Sequence, residues 1–194
     1  MCLTIRKYND SDFDNWENFI INSSNGTIFH SRIFLSYHID RNFYDNSLIF
    51  EKNSKIIAVF PAAKNLNDEL ILHSHPGASF GGFVFDNLSF KDSNLILNLL
   101  EDYCVKNNFK SVFFTPTPNI YFDQLNETLE YTLLWNNYKI KEVYISSIIE
   151  IKNNLKTIEY LNTRKQRYIK NYLNNKSLIV KWENDFDKFY PILL

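Results

Sequence analysis

Leu72-His73-Ser74-His75-Pro76-Gly77-Ala78-Ser79-Phe80-Gly81-Gly82-Phe83-Val84 holds two of the four His and three of the four Gly of this 194-residue chain. Glycine reaches backbone conformations closed to other residues and lets a ligand or a second strand come close to the main chain. Two readings stay open. The run is either a structural turn between strands, glycine-rich for steric reasons, or a polar lip on a substrate cleft.

Working outward, Glu69 to Ser74 reads as a strand that follows a hairpin. Its arms are Ser47-Leu48-Ile49-Phe50-Glu51 and Lys55 to Ala63, with Lys52-Asn53-Ser54 as the turn, and all three strands are expected in one sheet. Upstream, Leu3 to Tyr8 alternates apolar and polar. Asn9-Asp10-Ser11-Asp12 then offers N-caps to a helix carrying Phe13, Trp16, Phe19 and Ile20, which ends at Ser23-Ser24-Asn25-Gly26. A second short helix is predicted from Ser31 to Arg41.

Downstream, Asp92 to Asn107 puts Leu95, Leu99, Leu100 and Tyr103 on one helical face. Ser111 to Thr115 is an unbroken strand, expected to be buried, central and parallel, and it stops at Pro116 and Pro118. A helix from about Tyr121 to Asn136 and a long strand from Lys141 to Glu150 follow. The expected fold is therefore α/β, a mixed and mostly antiparallel sheet flanked by helices. From Thr157 the composition shifts, and Arg164, Lys165, Arg167 and Lys170 share a helix running from Asn162 to Asn174 without an acidic residue. A strand at Ser177 to Trp182 and an amphipathic helix from Asp185 come last. The apolar end, Phe189 to Leu194, asks for a partner surface, so truncation or self-association through this tail is expected.

With 21 Lys+Arg against 22 Asp+Glu, the net charge of -1 gives no electrostatic reason to expect DNA or an acidic membrane. Cys2 and Cys104 make neither a disulfide framework nor a CxxC site, which suits a reducing cytoplasm. No apolar run approaches the roughly 18 residues of a membrane span. The reading is a soluble cytoplasmic protein.

The Trp16 helix, Thr27-Ile28-Phe29-His30-Ser31, the Ala58-Val59-Phe60-Pro61 strand, the His75-Pro76-Gly77-Ala78-Ser79-Phe80-Gly81-Gly82 loop and the Arg164/Arg167 helix, in that order, resemble the N-terminal half of the FemAB-like proteins. These are tandem-domain members of the acyl-CoA N-acyltransferase (GNAT) superfamily. The resemblance implies a GNAT-like domain over residues 1–155. Residues 156–194 would be a basic helix, a strand and the start of a helix leading to a second GNAT domain. It also implies transfer of an acyl or aminoacyl group to an amine on a cell-wall precursor or amino sugar, this chain being the acceptor-side half.

Acyl-CoA or aminoacyl-tRNA would be the donor in the complete protein. Neither is expected to bind this chain tightly, because it lacks the Gln/Arg-x-x-Gly-x-Gly/Ala turn whose N–H groups hold the coenzyme A diphosphate. The alternative is a non-catalytic binding or assembly module with a degenerate form of the fold.

His30 and His75 are the candidate general bases, since imidazole titrates near neutral pH. Phe29, Ser31, His73, Ser79, Phe80, Gly81, Gly82 and Thr115 are candidate substrate-binding positions, joined by Arg164 and Arg167, whose spacing of three lets them clamp a phosphate or carboxylate, including a tRNA backbone. His73 and His75 would face one side of a strand, yet no third ligand stands near them, so no metal is expected. Neither serine of the loop sits in a Gly-x-Ser-x-Gly elbow, and no nucleotide-binding glycine motif is present.

Overall fold

The computed structural model describes residues 3–36, 43–65, 67–145, 147, 159, 161–175 and 191. The chain divides into two compact units, Met1–Lys141 and Glu142–Leu194.

In the first unit, β1 (Leu3–Lys7) leads through an Asn9/Asp12 capping box into α1 (Phe13–Asn22). Asp12 also receives Arg6 at 2.7 Å, and Arg6 reaches Glu51 at 2.8 Å, so this entry is pinned by a charge cluster. A short α2 (Arg32–Leu35) is capped by Ser31. The hairpin of β2 (Leu48–Lys52) and β3 (Lys55–Phe60) turns through Asn53 at φ 53° and Ser54 at φ 62°. Two consecutive left-handed residues match the twist of the flanking strands, which is why so tight a turn closes here.

β4 (Ala63–Lys64), β5 (Ile71–Ser74) and β6 (Val84–Phe85) precede α3 (Phe90–Lys106), β7 (Ser111–Phe114) and α4 (Thr128–Trp135). One sheet has the order β1-β2-β3-β6 and is antiparallel throughout. The other has the order β4-β5-β7, with β5 and β7 parallel.

Alternation along the strands divides the core into two layers, because successive side chains leave opposite faces. Leu48, Phe50, Ala58 and Phe60 pack with Ile96, Leu97 and Leu100 of α3 and Leu129 of α4. Ile49, Val59 and Val84 face the other way and pack with Tyr8, Trp16 and Ile20. Each fully buried large side chain contributes about 1.5–3 kcal/mol. The expected α/β class, mostly antiparallel with flanking helices, is what the chain adopts.

Several elements differ from the sequence reading. The strand at 71–74 belongs to the second sheet rather than the hairpin's sheet. The chain breaks at Pro61, which cannot donate to a ladder, and β6 takes the free edge of β3 instead. β7 is parallel, as expected, but it is not central. Among the described residues only β5 pairs with it, Ser111 is exposed and residues 112–114 are half-buried.

In α3 the buried face is Ser93, Ile96, Leu97, Leu100 and Cys104, whereas Leu95 is 37% exposed. The helix foreseen at 121–136 is shortened to α4 plus a 3-10 turn at Asn119–Tyr121. Between them Asp123 N–H donates to Ser24 O at 2.8 Å and Phe122 packs on Phe85, contacts that hold this stretch extended. Lys141 to Ile145 are exposed and carry no ladder, because β-propensity supplies a surface and not a partner. The rest of that strand, most of the Ser31–Arg41 helix beyond Ser36, and the elements expected after Asn175 lie outside the described residues. No helix among the described residues is long and apolar enough to cross a membrane.

In the second unit, α5 (Thr163–Leu173) starts at Asn162, whose side chain accepts from Lys165 N–H at 3.0 Å.

Candidate functional site

β5 and β7 run parallel, so the loops leaving them, residues 75–83 and 115–127, emerge on the same edge. In open sheets ligands sit outside the carboxyl ends of such strands. A third segment, residues 24–36, joins these two loops through a buried set of hydrogen bonds. Asn25, 2% exposed, donates from Nδ2 to Phe83 O at 2.9 Å and accepts Phe85 N–H at 2.8 Å. Thr117 Oγ1 donates to Asn25 O at 3.4 Å, and Ser24 Oγ donates to Gln124 O at 3.0 Å.

His30 is the centre of this clamp and has no exposed surface. Its Nδ1 accepts Thr27 N–H at 3.1 Å, which makes Nε2 the protonated nitrogen, donating to Gly81 O at 3.3 Å beside Thr117 Oγ1 at 3.4 Å. Its own carbonyl accepts Trp16 Nε1–H at 2.9 Å. Desolvation holds its pKa down at about 4 against the bonds to Gly81 and Thr27. Every polar group of His30 is thus spent on main chain or on neighbouring side chains, the contact set of a strut beneath the loop.

Two glycines of the loop answer to packing. A Cβ on Gly81 would stand 2.8 Å from His75 N and 2.9 Å from Ser74 C. One on Gly82, at φ +83°, would stand 3.1 Å from the Phe114 ring. Gly81 N–H donates to Thr115 O at 2.8 Å, and Gly82 N–H to Ser74 Oγ at 2.9 Å. Ser74 Oγ in turn donates to Pro61 O. Close backbone approach is therefore real here, but the approaching group is the protein's own chain.

The outer face is aromatic. Phe29 meets Phe34 edge-on at 5.1 Å and Phe80 at 4.7 Å, and Phe80 stacks with Tyr121 at 5.5 Å and 27°. Phe80 is 9% exposed and Tyr121 53%, so Tyr121 shows the outer surface of the stack. Ser79, next to Phe80 in sequence, and Thr115, whose carbonyl accepts Gly81 N–H, are exposed, whereas Ser31 spends its hydroxyl on Glu17 at 2.9 Å and on capping Ile33. Phe29, His30, Phe80, Gly81, Gly82 and Thr115 are thus brought together. Sequence reasoning missed Tyr121, Asn25 and Thr117; the Pro116/Pro118 break after β7, with an aromatic just beyond it, was the available signal.

His75 lies at the loop's start, 5% exposed, edge-on to Phe43 at 5.4 Å. Its Nδ1 lies 2.7 Å from Pro76 O, an acceptor only, so Nδ1 carries the proton and Nε2 the lone pair. Desolvation is the largest influence on it and lowers its pKa to about 4. His73 packs against Phe113 at 5.0 Å on the half-exposed face of the second sheet, and desolvation lowers its pKa too. Arg32 lies over the Tyr8 ring at 4.1 Å and pairs with Asp45 and with Ser47 Oγ at 2.9 Å; burial pushes the Asp45 carboxyl up, but the Arg32 charge and the bonds from Ser47 outweigh it and hold it below its ordinary range. No group of three His, Cys, Asp or Glu residues that could hold a metal occurs among the described residues.

The N-terminus of α3, which follows this loop, does not fit a diphosphate. Ser89 Oγ accepts Asp92 N–H at 3.1 Å, and the Asp92 carboxylate sits in the first turn, paired with Lys52 at 2.7 Å. The helix end already carries its negative charge. In the second unit Arg164 and Arg167 are exposed on one face of α5, their guanidinium carbons 5.6 and 5.9 Å from the Tyr168 ring centre.

No family model and no curated protein sequence matches the chain. Among solved structures it is similar to a protein of Thermus thermophilus, with a TM-score of 0.45 and 11% identity over 77% of this chain and 98% of that one. It is similar also to a GNAT family acetyltransferase of Staphylococcus aureus, at 0.39 and 14% over 80% and 100%. A third is an aminoglycoside acetyltransferase from an uncultured soil metagenomic sample, at 0.41 and 12% over 79% and 97%.

Proposed function

We propose that this chain is the acceptor-side half of a FemAB-like N-acyltransferase of the GNAT superfamily, acting in the cytoplasm on an amine of a cell-wall precursor or amino sugar. The observation that carries the reading is the convergence of three loops, at the carboxyl ends of the parallel pair, into an exposed aromatic face on a rigid polar clamp. The motif order described above supports it. The charge already seated at the start of α3 supports placing the acyl-CoA or aminoacyl-tRNA donor on a further domain, with Arg164 and Arg167 available to a phosphate backbone.

In the reaction the amine nitrogen attacks the carbonyl carbon of the thioester or ester. The C–N bond forms, the C–S or C–O bond breaks, and its electron pair leaves with the sulfur or oxygen. The proton lost by nitrogen passes to a base and then to the leaving group. Of the two, His75 is the one that suits this role, because its tautomer leaves the Nε2 lone pair unprotonated while both nitrogens of His30 are engaged; burial holds the His75 pKa at about 4 rather than near neutrality, so it takes the proton as a weak base. The aromatic face and the loop tip hold the amine in line, which makes an otherwise bimolecular attack effectively unimolecular.

The test is to mix the full-length gene product with acetyl-CoA or aminoacyl-tRNA and with glucosamine or a peptidoglycan precursor peptide, and to look for amide by mass spectrometry. Amide from at least one pair is expected; none from any pair overturns the proposal. The occupied start of α3 also favours a second reading, an assembly module without catalysis. Calorimetry of this chain with coenzyme A is expected to be silent, and heat of binding would overturn the donor placement.

A further inference from the structure

Resting on that reading, we infer that the exposed face of Tyr121, backed by Phe80 and Phe29, is a seat for the ring of an amino sugar, so that the acceptor amine is borne on a sugar ring rather than on a flexible alkyl chain. The stack presents a flat surface about one ring across. Aromatic faces carry the negative side of a quadrupole and attract the polarised C–H groups and the ammonium of such a ring.

The charges closest to Tyr121 in sequence have the matching sign. Between Lys110 and Lys139 the charged residues are Asp123, Glu127 and Glu130, with no Lys or Arg. Glu127 is tied to the Tyr121 turn, its Oε1 accepting from Asn119 Nδ2 at 3.4 Å. The loop at 75–83 has no carboxylate, lysine or arginine, and its histidine is neutral near pH 7. Arg32, in the third segment, is spent on Asp45 and Ser47. A rigid ring loses almost no internal freedom on binding such a face, whereas an alkyl amine must freeze several rotors for the same contact.

The experiment is saturation-transfer NMR and titration of the protein with methyl β-glucosaminide, methyl β-glucoside and cadaverine. The glucosaminide should bind at least tenfold more tightly than the other two. Tyr121→Ala should weaken it about tenfold and Tyr121→Phe by less than threefold, while Glu127→Gln should weaken the glucosaminide and leave the glucoside unchanged. Tyr121 is exposed, so unchanged circular dichroism is expected for its variants. Equal binding of cadaverine, no response to the glucosaminide, or an indifferent Tyr121→Ala overturns the inference. Amide formed only on a peptide amine would overturn it too and leave the transferase reading standing. Glucosaminide binding without any amide removes the transferase reading and leaves the ring seat.

Discussion

The underside and the outer face of the loop at 73–82 are built from different chemistry. Beneath it, Asn25, His30, Ser74 and Thr117 are at most 3% exposed and satisfied by main-chain partners, whereas outside it Tyr121, Ser79 and Gly77 face water. Buried polar networks are costly unless complete, and when complete they fix one geometry. The lower layer should therefore govern stability, and the upper one binding.

Acid gives the largest expected break in that contrast. His30 and His75 have folded pKa values lowered from 6.5 to about 4, both by burial. A lowered histidine pKa means that the unfolded chain binds the proton first, so stability is full above pH 6.5 and falls as pH drops toward 4. By pH 5 each residue costs about 2 kcal/mol. The lowered carboxylates Asp12, Asp45 and Asp92 add their losses only at lower pH, as they begin to protonate. Urea unfolding from pH 7.5 to 5 should show this slope, and His75→Gln should halve it. A flat profile would mean that neither ring is buried.

Next in size is Asn25→Ala, which strands Phe83 O and Phe85 N–H in the interior. Two buried unsatisfied groups cost about 1–3 kcal/mol each, so a shift in the urea midpoint worth about 3 kcal/mol is expected. Gly81→Ala follows at about 2 kcal/mol, because its Cβ meets backbone that cannot yield cheaply. A neutral result in thermal melts for Gly81→Ala would return this glycine to the role of admitting a ligand.

That glycine marks the limit of what was legible. The apolar runs Leu48 to Phe50 and Ile56 to Phe60, separated by Lys52-Asn53-Ser54, foretold a hairpin, and the antiparallel pairing of β2 with β3 bears this out. The Asn162 cap and the span of α3 could be read for the same reason, since they depend on neighbours within one or two turns. Which edge β5 joins, and whether Lys141 to Ile145 finds a partner, depend on distant chain and leave no local mark. The glycine cluster announced close approach without saying by what. Tyr121 carries no motif of its own, and its position follows from stacking on Phe80, 41 positions earlier by the numbering.

The smallest stability effect belongs to the residue given the largest role in binding. Tyr121→Ala removes one stacking contact from a half-exposed ring, and exposed substitutions of this kind stay within about 1 kcal/mol. If the two layers are separable, this variant melts within a few degrees of the parent yet raises KM for an amino sugar about tenfold with kcat little changed, since ring stacking is felt equally in ground and transition states. His75→Gln, by contrast, should lower kcat. A Tyr121→Ala protein that instead loses stability and kcat together would show that the aromatic face and the clamp form a single structure, and the division of labour between them would fall.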